Sequence, residues 1–231
     1  MSQRSKLEKF AENLTFPNVF ENLSYKEPKL MVHYNQFVDY KGTWNASYFK
    51  NKQELILELA CGGGEYCVGM AQLIPNRNYI GIDIKGARMW KGASQSLNLK
   101  LNQVAFVRTR IELLTAFFDQ QEVDQIWITF PDPFLNHGKA IKRLTSNYFL
   151  DIYSQVLKPN AVLHLKTDDP TLYQFSLQSI DAHPKYKIIY TDDDIYDKPL
   201  YCPELTIKTH YKKKHLAKGL KIKYICFQYV E

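Results

Sequence analysis

Residues 55–66, LILELACGGGEY, decide how the chain is read. Positions 55–59 form a short, mostly apolar run suited to a strand buried on both faces, and it leads into three consecutive glycines at 62–64. A helical pattern follows over 65–73, with Tyr66, Gly69, Met70 and Leu73 at helical spacing before Pro75. A strand that turns through glycines into a helix is the opening unit of a doubly wound α/β sheet, in which ligands sit beyond the carboxyl ends of the strands.

The alternation continues downstream. The pattern predicts strands at 78–84 (NYIGIDI), 104–108, 123–130 (VDQIWITF, ending at Pro131) and 161–166 (AVLHLK, after Pro159-Asn160). Helices are predicted at 87–97, 111–118 and 145–157, the last with Tyr148, Phe149, Ile152, Tyr153 and Val156 on one face. Two further strands, 187–190 and 223–229, bracket a basic segment. The expected fold is therefore α/β, a doubly wound and mostly parallel sheet occupying 51–231. Residues 1–50 hold turn-like segments at 25–28 and 39–42 and no sustained period, and are read as an N-terminal extension packed on that domain.

With 231 residues, 45% hydrophobic and 23% charged, the chain is long enough to bury a full core. Its longest apolar runs, 126–130 and 161–165, are too short to span a bilayer, and MSQRSKLEKFAENL carries charges where a secretion signal is apolar. A cytoplasmic protein with no membrane association is expected, either a monomer or a homodimer. Cys61, Cys67, Cys202 and Cys226 show no C-x-x-C pair and no histidine spacing suited to a metal, so they read as core thiols and no metal is expected. His164, inside AVLHLK, reads as a core or site-wall residue, and the acidic run 192–194 as a solvated loop. The net charge of +6 is informative only through its placement. Seven lysines fall within 208–223, interleaved with His210, Tyr211 and His215, a composition that fits either a solvated helix face or a phosphate-binding surface.

The glycine turn departs from the dinucleotide pattern G-x-G-x-x-G, because Tyr66 and Cys67 stand where the last glycine belongs. Glu58 at the strand end and Glu65 in the first helical turn would repel a pyrophosphate. A zwitterionic ligand suits them better. Glu58 can accept from an ammonium group, and Asp83, 25 residues later at the end of the second strand, can accept both hydroxyls of a ribose. Ala60, where a glycine is usual, implies a turn position that keeps φ negative and leaves room for one methyl group. At 129–134, TFPDPF sets Asp132 between two prolines, each of which holds the residue before it extended, and so presents an acid rigidly at the end of the fourth strand.

These features together resemble the S-adenosylmethionine loop of class I methyltransferases, with Gly62 and Gly64 in the second and third glycine positions. TFPDPF, the basic run at 139–145, HLKTD at 164–168, GIDIKGARMW at 81–90 and KTHYKKKHLAKGLKIKY near the C-terminus resemble the tRNA (guanine-N7-)-methyltransferase family, from Lys41 to Phe227. The resemblance implies a Rossmann-like class I methyltransferase that uses S-adenosylmethionine to methylate N7 of a guanine in the tRNA variable loop. Carried over by residue, Glu58, Gly62, Gly64, Asp83, Arg110 and Asp132 are implied at the cofactor and Asp132 as the catalytic acid. Asn136, Asp168, Thr209, Tyr211 and Lys212 are implied at the substrate. Four positions depart from the family pattern. Phe134 replaces a Trp, Asn136 a Lys, Arg110 an Asp and Lys212 a Glu, and Lys139, Lys142 or Arg143 is expected to supply the cation missing at 136. The competing readings are a methyltransferase with another substrate and an inactive RNA-binding paralogue.

Overall fold

The computed structural model describes residues 4–207 and 221–231. Among these, ten strands form a single sheet: β1 (Val19–Glu21), β2 (Leu30–Val32), β3 (Gln36–Val38), β4 (Leu55–Leu59), β5 (Asn78–Asp83), β6 (Val104–Arg108), β7 (Val123–Thr129), β8 (Leu157–Thr167), β9 (Tyr186–Asp192) and β10 (Lys223–Tyr229). Their spatial order is β3-β2-β1-β6-β5-β4-β7-β8-β10-β9. The central pairs β6–β5–β4–β7–β8 are parallel, and β10 inserts antiparallel between β8 and β9. Strand order reverses at β4, so its carboxyl end opens a crevice between neighbours whose connections leave in opposite directions.

Among the described residues six α-helices cover the sheet: α1 (Lys6–Asn13), α2 (Glu65–Leu73), α3 (Gly86–Asn98), α4 (Leu114–Phe117), α5 (Asn147–Tyr153) and α6 (Pro170–Asp181). Successive strand residues point to opposite faces, and both faces are covered, which is why the central strands are apolar nearly throughout. Leu55, Leu57 and Leu59 join one core layer with Ile80, Ile126 and residues of α4 and α5. Ile56, Tyr79, Phe106 and Trp127 join the other with Met70 and Ala71 of α2 and Met89 and Ala93 of α3.

The N-terminal segment is woven into this core. β1 adds to the sheet parallel to β6, and β2 and β3 follow as antiparallel strands. Trp44 is fully buried, stacks on Phe118 at 5.6 Å and donates its indole N–H to the Phe117 carbonyl at 2.9 Å. The Glu122 carboxylate accepts from the backbone N–H of Gly42 (2.8 Å) and Trp44 (3.0 Å). Strands of three residues are too short to show a period, so none was visible there. The readable signal was the Ser5-Lys-Leu-Glu8 capping box that starts α1. α6 also carries a signal, Asp169-Pro170, in which Asp169 accepts from the Leu172 N–H at 2.7 Å and proline occupies the first turn.

Several sequence expectations shift. The helix expected at 145–157 closes at Tyr153, and β8 runs through Pro159-Asn160, with Asn160 at φ +65°. The segment 111–118 splits into a 3₁₀ turn and the short α4. Asp192 is buried at the end of β9 rather than solvated, and it accepts from the Tyr190 hydroxyl at 3.0 Å and pairs with Lys198 at 3.2 Å.

The glycine turn is held from below. Gly64, at φ +67°, is the N-cap of α2 and has no side chain to offer. Glu58 supplies the acceptor instead: one oxygen takes the Cys67 N–H at 2.9 Å and the other the Thr129 hydroxyl at 2.9 Å. A Cβ on Gly64 would lie 2.5 Å from the Phe106 ring, so this glycine serves close packing as well as the turn. Ala60 does not keep a negative φ. It sits at +55°, because Cys61 must donate to the Ile82 carbonyl (3.0 Å) while its own carbonyl accepts from Gly64 (2.8 Å). That left-handed geometry costs an alanine about 1–2 kcal/mol. Phe130 likewise departs from the extended geometry expected before proline, at φ +49°, with its N–H bonded to the Lys166 carbonyl at 2.8 Å.

Two predictions follow from the turn. In urea denaturation, Gly64→Ala is expected to lose about 2–4 kcal/mol from strain and overpacking, whereas Ala60→Gly is expected to lose nothing, because relief of its backbone strain offsets the added chain entropy. The second concerns Glu58, whose burial pushes its carboxyl from 4.5 up to about 8. Between those values the group is protonated when folded and ionised when unfolded, so unfolding releases a proton and stability falls as pH rises through the window. Urea melts at pH 6.5, 7.2 and 8, above the range in which a buried neutral histidine such as His164 adds stability with rising pH, should show this decline, by up to about 1.4 kcal/mol per pH unit. Glu58→Gln should flatten it.

Candidate active site

A cleft of about 1170 Å³ lies over the carboxyl ends of β4, β5, β7 and β8 and collects Glu58, Gly62, Asp83, Arg110, Asp132 and Asp168 along its walls. Residues separated by more than a hundred positions in sequence thus meet because four parallel strands end on the same edge.

On the β4–β5 side, Asp83 is buried, and each of its oxygens accepts one backbone N–H, from Gly62 and from Lys85, both at 2.8 Å. Each oxygen retains a lone pair, so the carboxylate can still accept a pair of hydroxyls. Gly62, at φ +54°, has no atom closer than 4.0 Å to a Cβ built on it, which leaves its backbone open to a ligand. Gly63 also lines the cleft. Gly64 does not, and its contribution is the packing against Phe106. Because Glu58 takes the Cys67 N–H, the start of α2 is already occupied by a carboxyl group and is a poor seat for a pyrophosphate. The donor set fits a nucleoside bearing a zwitterionic amino-acid tail.

On the β7–β8 side, Asp132 is exposed, and one of its oxygens accepts from the Phe134 N–H at 3.0 Å. Arg143 locks this loop. It donates to the Pro133 carbonyl (2.9 Å) and the Phe134 carbonyl (3.1 Å) while its guanidinium lies 4.5 Å from the Phe175 ring. It is buried and committed to the loop, so it does not supply the cation expected to replace a lysine at 136. Of the three candidates, Lys142 is the one on the cleft wall. Asn136 is off that wall and caps the 3₁₀ turn His137–Lys142 through the Gly138 N–H at 2.9 Å. Arg110 sits 5.7 Å over the Tyr25 ring and 3.8 Å from Glu112. Thr209, Tyr211 and Lys212 lie outside the described residues.

The remaining rim was not anticipated. Lys9 of α1 and Lys85, Arg88, Trp90 and Lys91 near the start of α3 border the cleft, with Lys9 5.4 Å over the Trp90 ring and Lys91 paired to Glu65. Their signal was the basic spacing within KGARMWK at 85–91, which becomes a rim only when α1 docks on α3 through the Trp90–Glu12 hydrogen bond at 2.7 Å.

Other candidates resolve into structure. His164 stacks on Trp127 at 3.9 Å and bonds the Tyr224 hydroxyl at 2.6 Å, and burial lowers its pKa to about 3, so it stays neutral. Cys61, Cys67 and Cys226 are buried free thiols. Among the described residues no His, Cys, Asp and Glu group is arranged to hold a metal, and no helix is long and apolar enough to cross a membrane.

A family model described as "Putative methyltransferase" matches residues 52–225. Proteins named tRNA (guanine-N(7)-)-methyltransferase are similar over nearly all of the chain. The one from Bacteroides thetaiotaomicron is 43% identical over 97% of this chain and 86% of its own length. The one from Christiangramia forsetii is 40% identical over 99% of both, and the one from Porphyromonas gingivalis 45% identical over 92% and 85%. Among solved structures, the 16S rRNA methyltransferase KamB superposes with a TM-score of 0.62 at 11% identity, covering 85% of this chain and 97% of that one. This likeness establishes the shared class I methyltransferase fold. The parallel sheet reversing at β4, the glycine turn braced by Glu58 and Asp83, and near full-length identity above 40% lead to one assignment: the chain belongs to the tRNA (guanine-N(7)-)-methyltransferase family.

Proposed function

We propose that this protein transfers the methyl group of S-adenosylmethionine to N7 of a guanine in the variable loop of tRNA, in the cytoplasm. The observation that carries the reading is the meeting, in one cleft at the switch point of the sheet, of a ribose-type acid (Asp83), an open glycine backbone (Gly62) and two acids on the opposite wall (Asp132 and Asp168).

In this reading, Asp83 holds the ribose hydroxyls, Gly62 and Gly63 admit the amino-acid portion, and Glu58 answers its ammonium group. Bound there, S-adenosylmethionine supplies an electrophilic sulfonium methyl: as the N7 lone pair forms the new N–C bond, the S–C bond breaks and its electron pair stays on sulfur. N7 carries no proton at neutral pH, so the chain need not furnish a strong base. Its task is positioning and charge. Asp132 and Asp168 accept from N1–H and the exocyclic amine, which aims N7 at the methyl and offsets the positive charge growing on the purine. Arg143 keeps Asp132 in place by donating to the carbonyls of Pro133 and Phe134. Extracting the base from its tertiary contacts costs a few kcal/mol, which phosphate contacts must offset. Lys142 and the basic segment 208–223, with Thr209 and Tyr211, are the groups assigned to that role.

Labelled S-adenosylmethionine with unmodified tRNA tests the reading. Label at guanine N7 supports it, label on another acceptor makes the protein a methyltransferase of different substrate, and binding without transfer makes it an RNA-binding paralogue. Asp132→Ala is expected to lower turnover by at least ~100-fold while donor affinity is reduced much less, measured by single-turnover methylation and calorimetry. A filter-binding titration should show tRNA affinity dropping steeply between 50 and about 200 mM salt; a flat profile would remove the lysine segment from the interface.

A further inference from the structure

Lys166 lies in the middle of the molecule with no exposed surface at all. Its ammonium donates to the Leu205 carbonyl at 3.2 Å and stands 5.3 Å from the ring of Tyr66 and 5.9 Å from those of Phe130 and Tyr196. Taking an ammonium out of water is expensive. A methionine of similar length would fill the same space with no such penalty, so packing alone does not account for a lysine here.

What the ammonium touches does account for it. Phe130 belongs to the loop that carries Asp132, and it sits in a left-handed conformation that its N–H bond to the Lys166 carbonyl helps to hold. Tyr66 lines the cleft and donates its hydroxyl to the Glu204 carbonyl at 2.8 Å. Leu205 lies in the 3₁₀ turn Pro203–Thr206, which Arg77 also anchors through Glu204 at 3.3 Å and which leads directly into the lysine-rich segment. Asp168 is two residues beyond Lys166 along the chain. One buried cation therefore joins the loop of Asp132, the strand end of Asp168 and the root of the segment that holds Thr209 and Tyr211.

We propose that Lys166 is a positioning residue for methyl transfer: its ammonium, caged by Tyr66, Phe130 and Tyr196 and bonded to Leu205, holds the Asp132 loop and the turn Pro203–Thr206 in fixed register. It acts through Phe130 and Leu205, without touching the reacting atoms. The inference rests on the proposed tRNA methylation, so wild-type transfer to guanine N7 is established first, and failure there is failure of that reading alone.

The test is Lys166→Met, checked for folding by circular dichroism and assayed at saturating tRNA and methyl donor. Turnover is expected to fall roughly tenfold or more while donor affinity stays within about twofold, because the bonds that hold Asp83 and Gly62 do not involve the ammonium. Turnover within about twofold of wild type would overturn the proposal, as would a loss of donor binding in step with turnover. Tyr196, which is off the cleft wall, keeps the proposal falsifiable if the methionine variant does not fold. Tyr196→Phe and Tyr196→Leu both lose the hydroxyl bond to the Leu205 carbonyl, and only the former keeps the ring over the ammonium, so Tyr196→Leu should turn over roughly threefold or more slowly than Tyr196→Phe. Equal turnover in those two variants would refute the caged-cation role.

Discussion

The Glu58 carboxyl group stands at the junction on which the rest of the site depends. It sits at the end of the central strand, almost fully removed from water, and accepts from the first turn of α2 and from the hydroxyl at the end of β7. One side chain thereby fixes the direction of the helix after the glycine turn and the height of the strand that carries the Asp132 loop. Burial raises its pKa even though both hydrogen bonds favour the ionised form, so desolvation outweighs them. A cationic group arriving in the cleft would reverse that balance, which makes Glu58 both a brace of the resting fold and an electrostatic counterpart for a ligand.

The two walls of the cleft are built by different physics. On the glycine side, backbone hydrogen bonds dominate: Asp83 gathers the N–H groups of Gly62 and Lys85, and the turn accepts a left-handed alanine to keep its own bonds. On the Asp132 side, buried cations do the holding. Arg143 grips two loop carbonyls, and Lys166 ties the loop to the strand beside it and to the turn that precedes the basic segment. The exposed acid of TFPDPF therefore rests on interior charges, an arrangement that tolerates few alternative geometries because an unpaired buried charge is costly.

How much was legible follows from the range over which each signal acts. β4, β6 and β10 and helix α2 have the bounds the sequence pattern implies, because hydrophobic period and adjacent glycine or proline are local facts. Asp83 and Asp132 could be placed at strand ends for the same reason. The N-terminal strands were not legible, since three-residue pairs draw their stability from β6 and from Phe20, Leu30 and Trp44 in the common core. Ala60 was misread because a turn's φ is set by the bonds its neighbours must make, and one of those partners, the Ile82 carbonyl, lies on another strand. Arg143 looked like a free cation because nothing in KRLTS announces that its side chain turns inward.

By itself the sequence determined the alternation of strands and helices, the glycine turn and the acids at the strand ends, all properties of neighbouring residues and their periods. Only the tertiary structure decided which charges face the cleft and which are spent inside it. Asn136 became a cap, Arg143 a loop clamp and Lys166 a buried cation, while Lys9 and Lys142 became wall residues. The physical reason is that a side chain's charge is the same in any sequence, but its work depends on whether folding surrounds it with water, with carbonyls and rings, or with the space a ligand would fill.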